Sequence, residues 1–146
     1  MKITIEIDEN YSDTEIRVGC RRLTPELEKM IAMLRMLEMQ LTVEKDGVTY
    51  LLDVDKVLYV EAVERKTFVY TDEQVYESGL KLYELEQQLE DCGFFRASKS
   101  CLIYLKHIES LKADINRRIR VTMKNGEQIV VSRMYAEELR RRLGLK

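Results

Sequence analysis

At 146 residues the chain holds one ordinary domain with a full core and at most a small extension, not two large domains. Apolar residues at 45% and charged residues at 34% describe a soluble globular protein with a heavily charged surface. No stretch approaches the ~20 consecutive apolar residues of a membrane-spanning helix. Met1-Lys2-Ile3-Thr4-Ile5-Glu6 enters an alternating pattern at once, so no signal peptide is expected. Cys20, Cys92 and Cys101 are scattered without C-x-x-C spacing, and His107 is the sole histidine. That set argues against zinc chemistry and for a reduced, cytoplasmic protein. The net charge of −2 conceals a division: residues 1–92 carry 11 Lys/Arg against 21 Asp/Glu, and residues 93–146 carry 13 against 5. A nucleic-acid contact face on an acidic body has this signature, and so does a chain whose charges intermix on folding.

In chain order, Ile3, Ile5 and Ile7 alternate with polar residues and predict a half-buried strand over residues 1–8. After a polar break, Ile16-Arg17-Val18 suggests a second short strand. Thr24-Pro25-Glu26 predicts a helix start, with threonine as cap and proline at the first helical position. Leu23, Leu27, Met30, Ile31, Leu34, Leu37 and Leu41 then recur at helical steps, and Ala32, Met33, Met36 and Met39 widen the apolar face. A face that wide is either covered within the chain or meets another subunit.

From Leu41 the period changes to that of strands. A hairpin is expected over 41–44 and 48–52 across Asp46-Gly47, followed by strands over 57–63, 67–71 and 74–77. Ser78 or Gly79 opens a helix carrying Leu80, Leu82, Tyr83, Leu85 and Leu89, which stops at Cys92-Gly93. Phe94-Phe95-Arg96-Ala97-Ser98-Lys99-Ser100-Cys101-Leu102-Ile103-Tyr104 follows, two cations and two hydroxyls held between apolar anchors. A strand over 109–114 comes next. A hairpin then joins 118–123 to 128–131 across Asn125-Gly126, and Ser132 caps a last helix over 133–143, stopped by Gly144. The fold class expected is mainly β (β-rich α+β). Residues 1–41 form a strand-plus-helix extension, and residues 42–146 form the main domain.

The chain offers little for catalysis. It has no phosphate-binding glycine loop, no G-x-S-x-G and no metal cage, so it is not expected to be an enzyme or to carry a cofactor. Cys101 reads as a structural cysteine and His107 as a packing or surface histidine. Four cationic places stand out instead: Arg65-Lys66, Arg96 with Lys99, Arg117-Arg118, and Arg133. Arginine can hold guanine bidentately, while lysine and serine fix register on phosphates. Taken singly, each is equally a solvated surface charge.

The strand Val57-Leu58-Tyr59-Val60-Glu61-Ala62, the leucine-spaced segment 80–89, the 94–104 stretch, Asn125-Gly126 and Val131-Ser132-Arg133 stand in an order that resembles the LytTR family of bacterial DNA-binding domains, over about residues 42–143. The resemblance implies an elongated set of antiparallel β-sheets with short peripheral helices, inserting loops rather than a helix into successive major grooves. It places Arg65, Lys66 and Thr67 in a first contact loop and aligns Arg96 to Ser100 with the family's Arg-x-His-Arg/Lys/Asn-Ser core, which puts Lys99 and Ser100 at contact positions. It makes Arg133 the leading contact candidate, with Arg117 from the cationic pattern. Ser98 stands where histidine is common, Cys101 where an aromatic is common, and Val130 where proline is frequent.

Many members also carry a phosphorylated receiver domain, for which residues 1–41 are too short. The implied protein is a stand-alone, response-regulator-like transcriptional regulator in the bacterial cytoplasm. Its expected partners are double-stranded DNA and a second copy, through Leu27, Met30, Leu34 and Leu37, on repeated sites. The rival reading is a non-catalytic interaction module docking a membrane protein or other regulatory partner. Salt separates the two, because phosphate binding releases counterions and an apolar surface does not.

Overall fold

A computed structural model describes residues 1–12, 14–36 and 39–145. The extension departs from expectation. Residues 1–12 and 14–23 form no strand, and Ile3, Ile5 and Ile7 stand 76%, 81% and 94% exposed. An alternating pattern becomes a strand only when a neighbour pairs its backbone, and the described residues supply none. The helix does form, as α1 (Pro25–Met36), and starts as its residues dictate: Thr24 Oγ1 accepts from Leu27 N–H at 3.2 Å. Leu27, Met30 and Leu34 are half-buried, and Leu37 lies outside the described residues. Among those residues, neither core cluster contains a side chain before Met39.

The remainder is β-rich. A seven-stranded antiparallel sheet has the order β2-β1-β5-β4-β3-β7-β6, built from β1 (Gln40–Lys45), β2 (Val48–Asp53), β3 (Tyr59–Val63), β4 (Lys66–Tyr70), β5 (Val75–Ser78), β6 (Phe94–Ser98) and β7 (Cys101–Tyr104). A three-stranded sheet contains β8 (Ile108–Ala113), β9 (Ile119–Met123) and β10 (Gln128–Val131), with β9 central. Two further helices are α2 (Leu82–Leu89) and α3 (Arg133–Arg142). α2 starts later than Ser78 or Gly79 because Ser78 is still in the ladder opposite Thr67. Lys81 precedes the first turn, and its N–H donates to the Glu84 carboxylate at 3.1 Å. At the other end Gly93 takes φ 95° after a short 3₁₀ turn, a conformation that glycine adopts without steric cost.

Two cores lie on opposite faces of the large sheet. Val60, Val69, Leu102 and Tyr104 face Leu82, Leu85 and Leu89 of α2. Tyr59, Phe95, Ala97, Cys101 and Ile103 face Ile119, Val121, Met123 and Val131 of the small sheet, with Ala136 and Leu139 of α3. Side chains alternate across a strand, so β7 sends Leu102 and Tyr104 one way and Cys101 and Ile103 the other, and all four are buried. That double burial explains the uninterrupted apolar run. Phe94 and Tyr104, directly opposed in the ladder, stack at 4.4 Å between ring centroids. His107 meets the Tyr104 ring edge-on at 5.1 Å, a packing role.

Burial pushes the Cys101 thiol up to about 12, with Glu61 adding to the rise and Arg96 opposing it. Burial likewise pushes the Tyr104 phenol up to about 12. In the unfolded chain these groups release their protons near ~8.5 and ~10. The native state therefore binds more protons over that interval, and stability that is complete below pH ~8.5 falls as pH rises toward ~12. Urea midpoints should be flat from about pH 7 to 8 and decline from about pH 9 upward. A thiol reagent near neutral pH should modify exposed Cys20 at once, and buried Cys92 and Cys101 only on unfolding.

Candidate nucleic-acid interface

Three turns and one helix start gather at one end of the molecule. β3 runs into the Glu64-Arg65 turn, and β6 runs into the Lys99-Ser100 turn. Glu61 pairs with Cys101, so both turns leave the same end of the large sheet. A direct hydrogen bond joins them, from Ala62 N–H to the Ser100 carbonyl at 2.8 Å. Ser132 N–H donates to the Ala97 carbonyl at 2.9 Å, which brings the start of α3 alongside. The β8–β9 turn completes the cluster. Lys99, Ser100, Arg117, Ser132 and Arg133 line one open cleft of about 860 Å³, with Met134 and Glu137 on its wall.

Backbone conformation at two of these turns is unusual. Glu64 and Arg65 have φ 50° and 70°, and Asn116 and Arg117 have φ 58° and 64°. The β1–β2 hairpin makes a similar turn with Asp46-Gly47, at φ 51° and 78°, using the glycine that such a turn favours. Where that turn has Gly47, the other two have arginine. An L-residue in the left-handed region costs about 1 kcal/mol or more. Strain is thus kept at two turns, each with arginine at its second left-handed position. Asp114 orders the second of them: its carboxylate accepts from Ile115 N–H at 2.9 Å and from Arg120 at 3.2 Å. Those contacts, the Ile115 N–H first, hold its pKa below the usual carboxylate range.

The sequence candidates divide on this surface. Among the described residues Arg65, Lys66, Lys99, Arg117 and Arg133 form no ion pair, and Arg65, Lys66, Lys99, Ser100, Arg117 and Arg133 are all exposed. Thr67 does not belong with them. It is 5% exposed, because it alternates inward on β4 opposite Ala62. Arg96 is also withdrawn: its side chain is 16% exposed and pairs with Glu86 at 3.0 Å. Ser132 occupies the N-cap position of α3, but its hydroxyl makes no cap hydrogen bond; Tyr135 and Ala136 N–H instead donate to its carbonyl. That leaves a hydroxyl on the cleft wall.

Sequence reasoning missed Met134, Glu137 and Asn116. Met134 is 72% exposed beside Arg133, but in sequence it looks like any apolar helix position. Asn116-Arg117 carried a signal, since asparagine tolerates positive φ.

Among the described residues, no group of three or more His, Cys, Asp or Glu side chains could hold a metal ion, and no helix is long and apolar enough to cross a membrane. The helices of the described chain are also separated by strands, so no helix–turn–helix is formed by them. An uncharacterized HTH-type transcriptional regulator of Staphylococcus aureus is 26% identical over 99% of both chains. The sensory transduction protein LytT of Enterococcus faecalis is 29% identical over 66% of this chain and 40% of its own length. Among solved structures, the LytTr DNA-binding domain of a putative methyl-accepting/DNA response regulator from Bacillus cereus superposes with a TM-score of 0.70. It is 29% identical and covers 74% of this chain and 99% of that one. The family model described as the LytTr DNA-binding domain matches residues 47–144, and the chain belongs to that LytTR family of DNA-binding domains.

Proposed function

We propose that the chain is a transcriptional regulator that reads duplex DNA sequence-specifically with the end just described. The observation that carries this reading is the gathering of Arg65, Lys66, Lys99, Arg117 and Arg133, unpaired with any described carboxylate, on adjoining turns and a helix start. Turns that project from a sheet edge can enter a groove where no recognition helix exists. Arg133, in the first turn of α3, can hold guanine O6 and N7 bidentately, and the free N–H groups there favour a phosphate alongside. In this reading Lys99 and Ser100 fix register on phosphates, and Arg65, Lys66 and Arg117 extend the contact along the duplex. A duplex ligand also assigns the protein to the cytoplasm.

The dimer belongs to the same proposal. Ile3, Ile5, Ile7, Leu23 and Met33 are uncovered, and Leu27, Met30 and Leu34 join neither core. Together with residues 1–41 as a distinct extension, these side chains support self-association, which would set two domains on repeated sites. The same apolar surface favours the second reading, an interaction module whose extension docks a membrane protein or other regulatory partner.

Four outcomes are expected. Binding to genomic fragments should be selective and should weaken steeply with salt, with a log–log slope of about −0.9 per phosphate neutralised. Arg133→Ala should cost about 1–3 kcal/mol on the selected site and relax its specificity, whereas Lys99→Ala should weaken all sequences alike; fluorescence anisotropy reads both. Absence of binding at low salt by the folded protein would move the reading to the interaction module. Replacing Glu64-Arg65 by Asn-Gly should raise stability by about 1 kcal/mol while weakening DNA binding, since it relieves the left-handed strain and removes a cation. Leu27→Glu with Leu34→Glu should lower the mass measured by light scattering from dimer to monomer; an unchanged mass would remove the extension from the interface.

A further inference from the structure

Arg96 sits at the base of the turn proposed to meet DNA, yet its guanidinium is used inside the protein. Nε and Nη2 donate to the two carboxylate oxygens of Glu86 at 3.3 and 3.0 Å. Nη1 donates to the Lys99 carbonyl at 2.8 Å. Glu86 lies on α2, so one planar group ties a helix, an edge strand and a turn together. Two bonds to one carboxylate fix the guanidinium plane, and the fixed plane aims the third nitrogen at the turn.

The turn needs such a restraint. The β6–β7 register shifts between Arg96 and Ser98, an irregularity that disrupts the ladder just before Lys99. What replaces the ladder is specific to each residue. Ser100 N–H donates to Ser98 Oγ at 3.3 Å, the Ser100 carbonyl is held by Ala62, and the Lys99 carbonyl is held by Arg96. Without Arg96, the peptide carrying the exposed Lys99 would lose that anchor.

We propose that Arg96 is a positioning residue for DNA binding rather than a contact, and that Glu86 of α2 orients it. The proposal rests on the DNA-binding reading above. Its consequence is a sign. A contact arginine would be held back by the Glu86 carboxylate and released by its removal, and removing an anion near DNA would itself favour binding. A positioning arginine loses its orientation when Glu86 goes.

The test is binding of the full chain to the duplex selected by the wild type, and to a random-sequence duplex, across a salt series. Glu86→Gln, Arg96→Lys and Arg96→Gln are compared, with Lys99→Ala as reference and thermal melts to confirm folding. Glu86→Gln should weaken the selected duplex about tenfold, the size of one charged hydrogen bond, with the salt slope unchanged. Arg96→Lys should be as weak as Arg96→Gln, because an ammonium keeps the charge but cannot span Glu86 bidentately and Lys99 together. Lys99→Ala should lower the slope by about one. In DNA-free protein, the Ser100 amide should exchange hydrogen faster in Glu86→Gln than in wild type. Tighter binding with a steeper slope in Glu86→Gln, or wild-type affinity in Arg96→Lys, overturns the proposal in favour of a contact. Unchanged affinity in Glu86→Gln overturns it in favour of an inert surface pair. If the wild type binds no DNA, the DNA reading fails. The exchange comparison then decides separately whether the pair holds the turn, and unchanged exchange overturns that too.

Discussion

Double-sided burial of the β6–β7 hairpin is the constraint on which the rest of the structure depends. Leu102 and Phe94 anchor it to the α2 core, while Ile103, Phe95 and Ala97 anchor it to the small sheet and α3. A hairpin clamped from both sides cannot slip by one residue, because a slip would exchange every side chain between two differently shaped cores. Its turn is therefore held in place relative to three other elements: β3 through the Ala62–Ser100 bond, α3 through the Ser132–Ala97 bond, and α2 through Arg96 and Glu86. Surface cations on a flexible tip would lose entropy on meeting a ligand. Here most of that ordering is done by folding.

The charge division in the sequence acquires a spatial meaning through this arrangement. Two carboxylates near the contact end are tied to structural work, Glu86 to Arg96 and Asp114 to Ile115 and Arg120, while Glu64 and Glu137 stay exposed among the cations. The cations on the turns and at the start of α3 have no such partner among the described residues. Arg65 and Arg117 hold left-handed positions where glycine would be cheaper, and Asp46-Gly47 in the same chain shows the cheaper solution at a hairpin away from that end. The protein keeps strain at two turns where an arginine side chain is exposed.

Much of this was legible without coordinates. Alternation and turn residues located the hairpins from Leu41 onward, and Thr24-Pro25 located the start of α1. The order of the 94–104 stretch, Asn125-Gly126 and Val131-Ser132-Arg133 pointed to the family. One expected strand does not form and two expected contact residues are withdrawn from the surface, for a shared reason. Residues 1–8 alternate correctly but find no described neighbour to pair with; Thr67 follows two cations in sequence but turns inward on β4; Arg96 carries the right charge but meets Glu86, ten positions away on another element. In each case local pattern was right about the residue and silent about its neighbours.

The sequence by itself determined the strands and turns from residue 40 onward, the cap of α1, the excess of cations after residue 92, and membership of the family through an ordered set of short signatures. These depend on side-chain period and on the dihedral preferences of single residues, which the chain carries locally. Only the tertiary structure decided which cations share a surface, which are withdrawn into ion pairs, and which apolar side chains remain uncovered. Those outcomes depend on contacts between residues far apart in the chain, and no local preference encodes them.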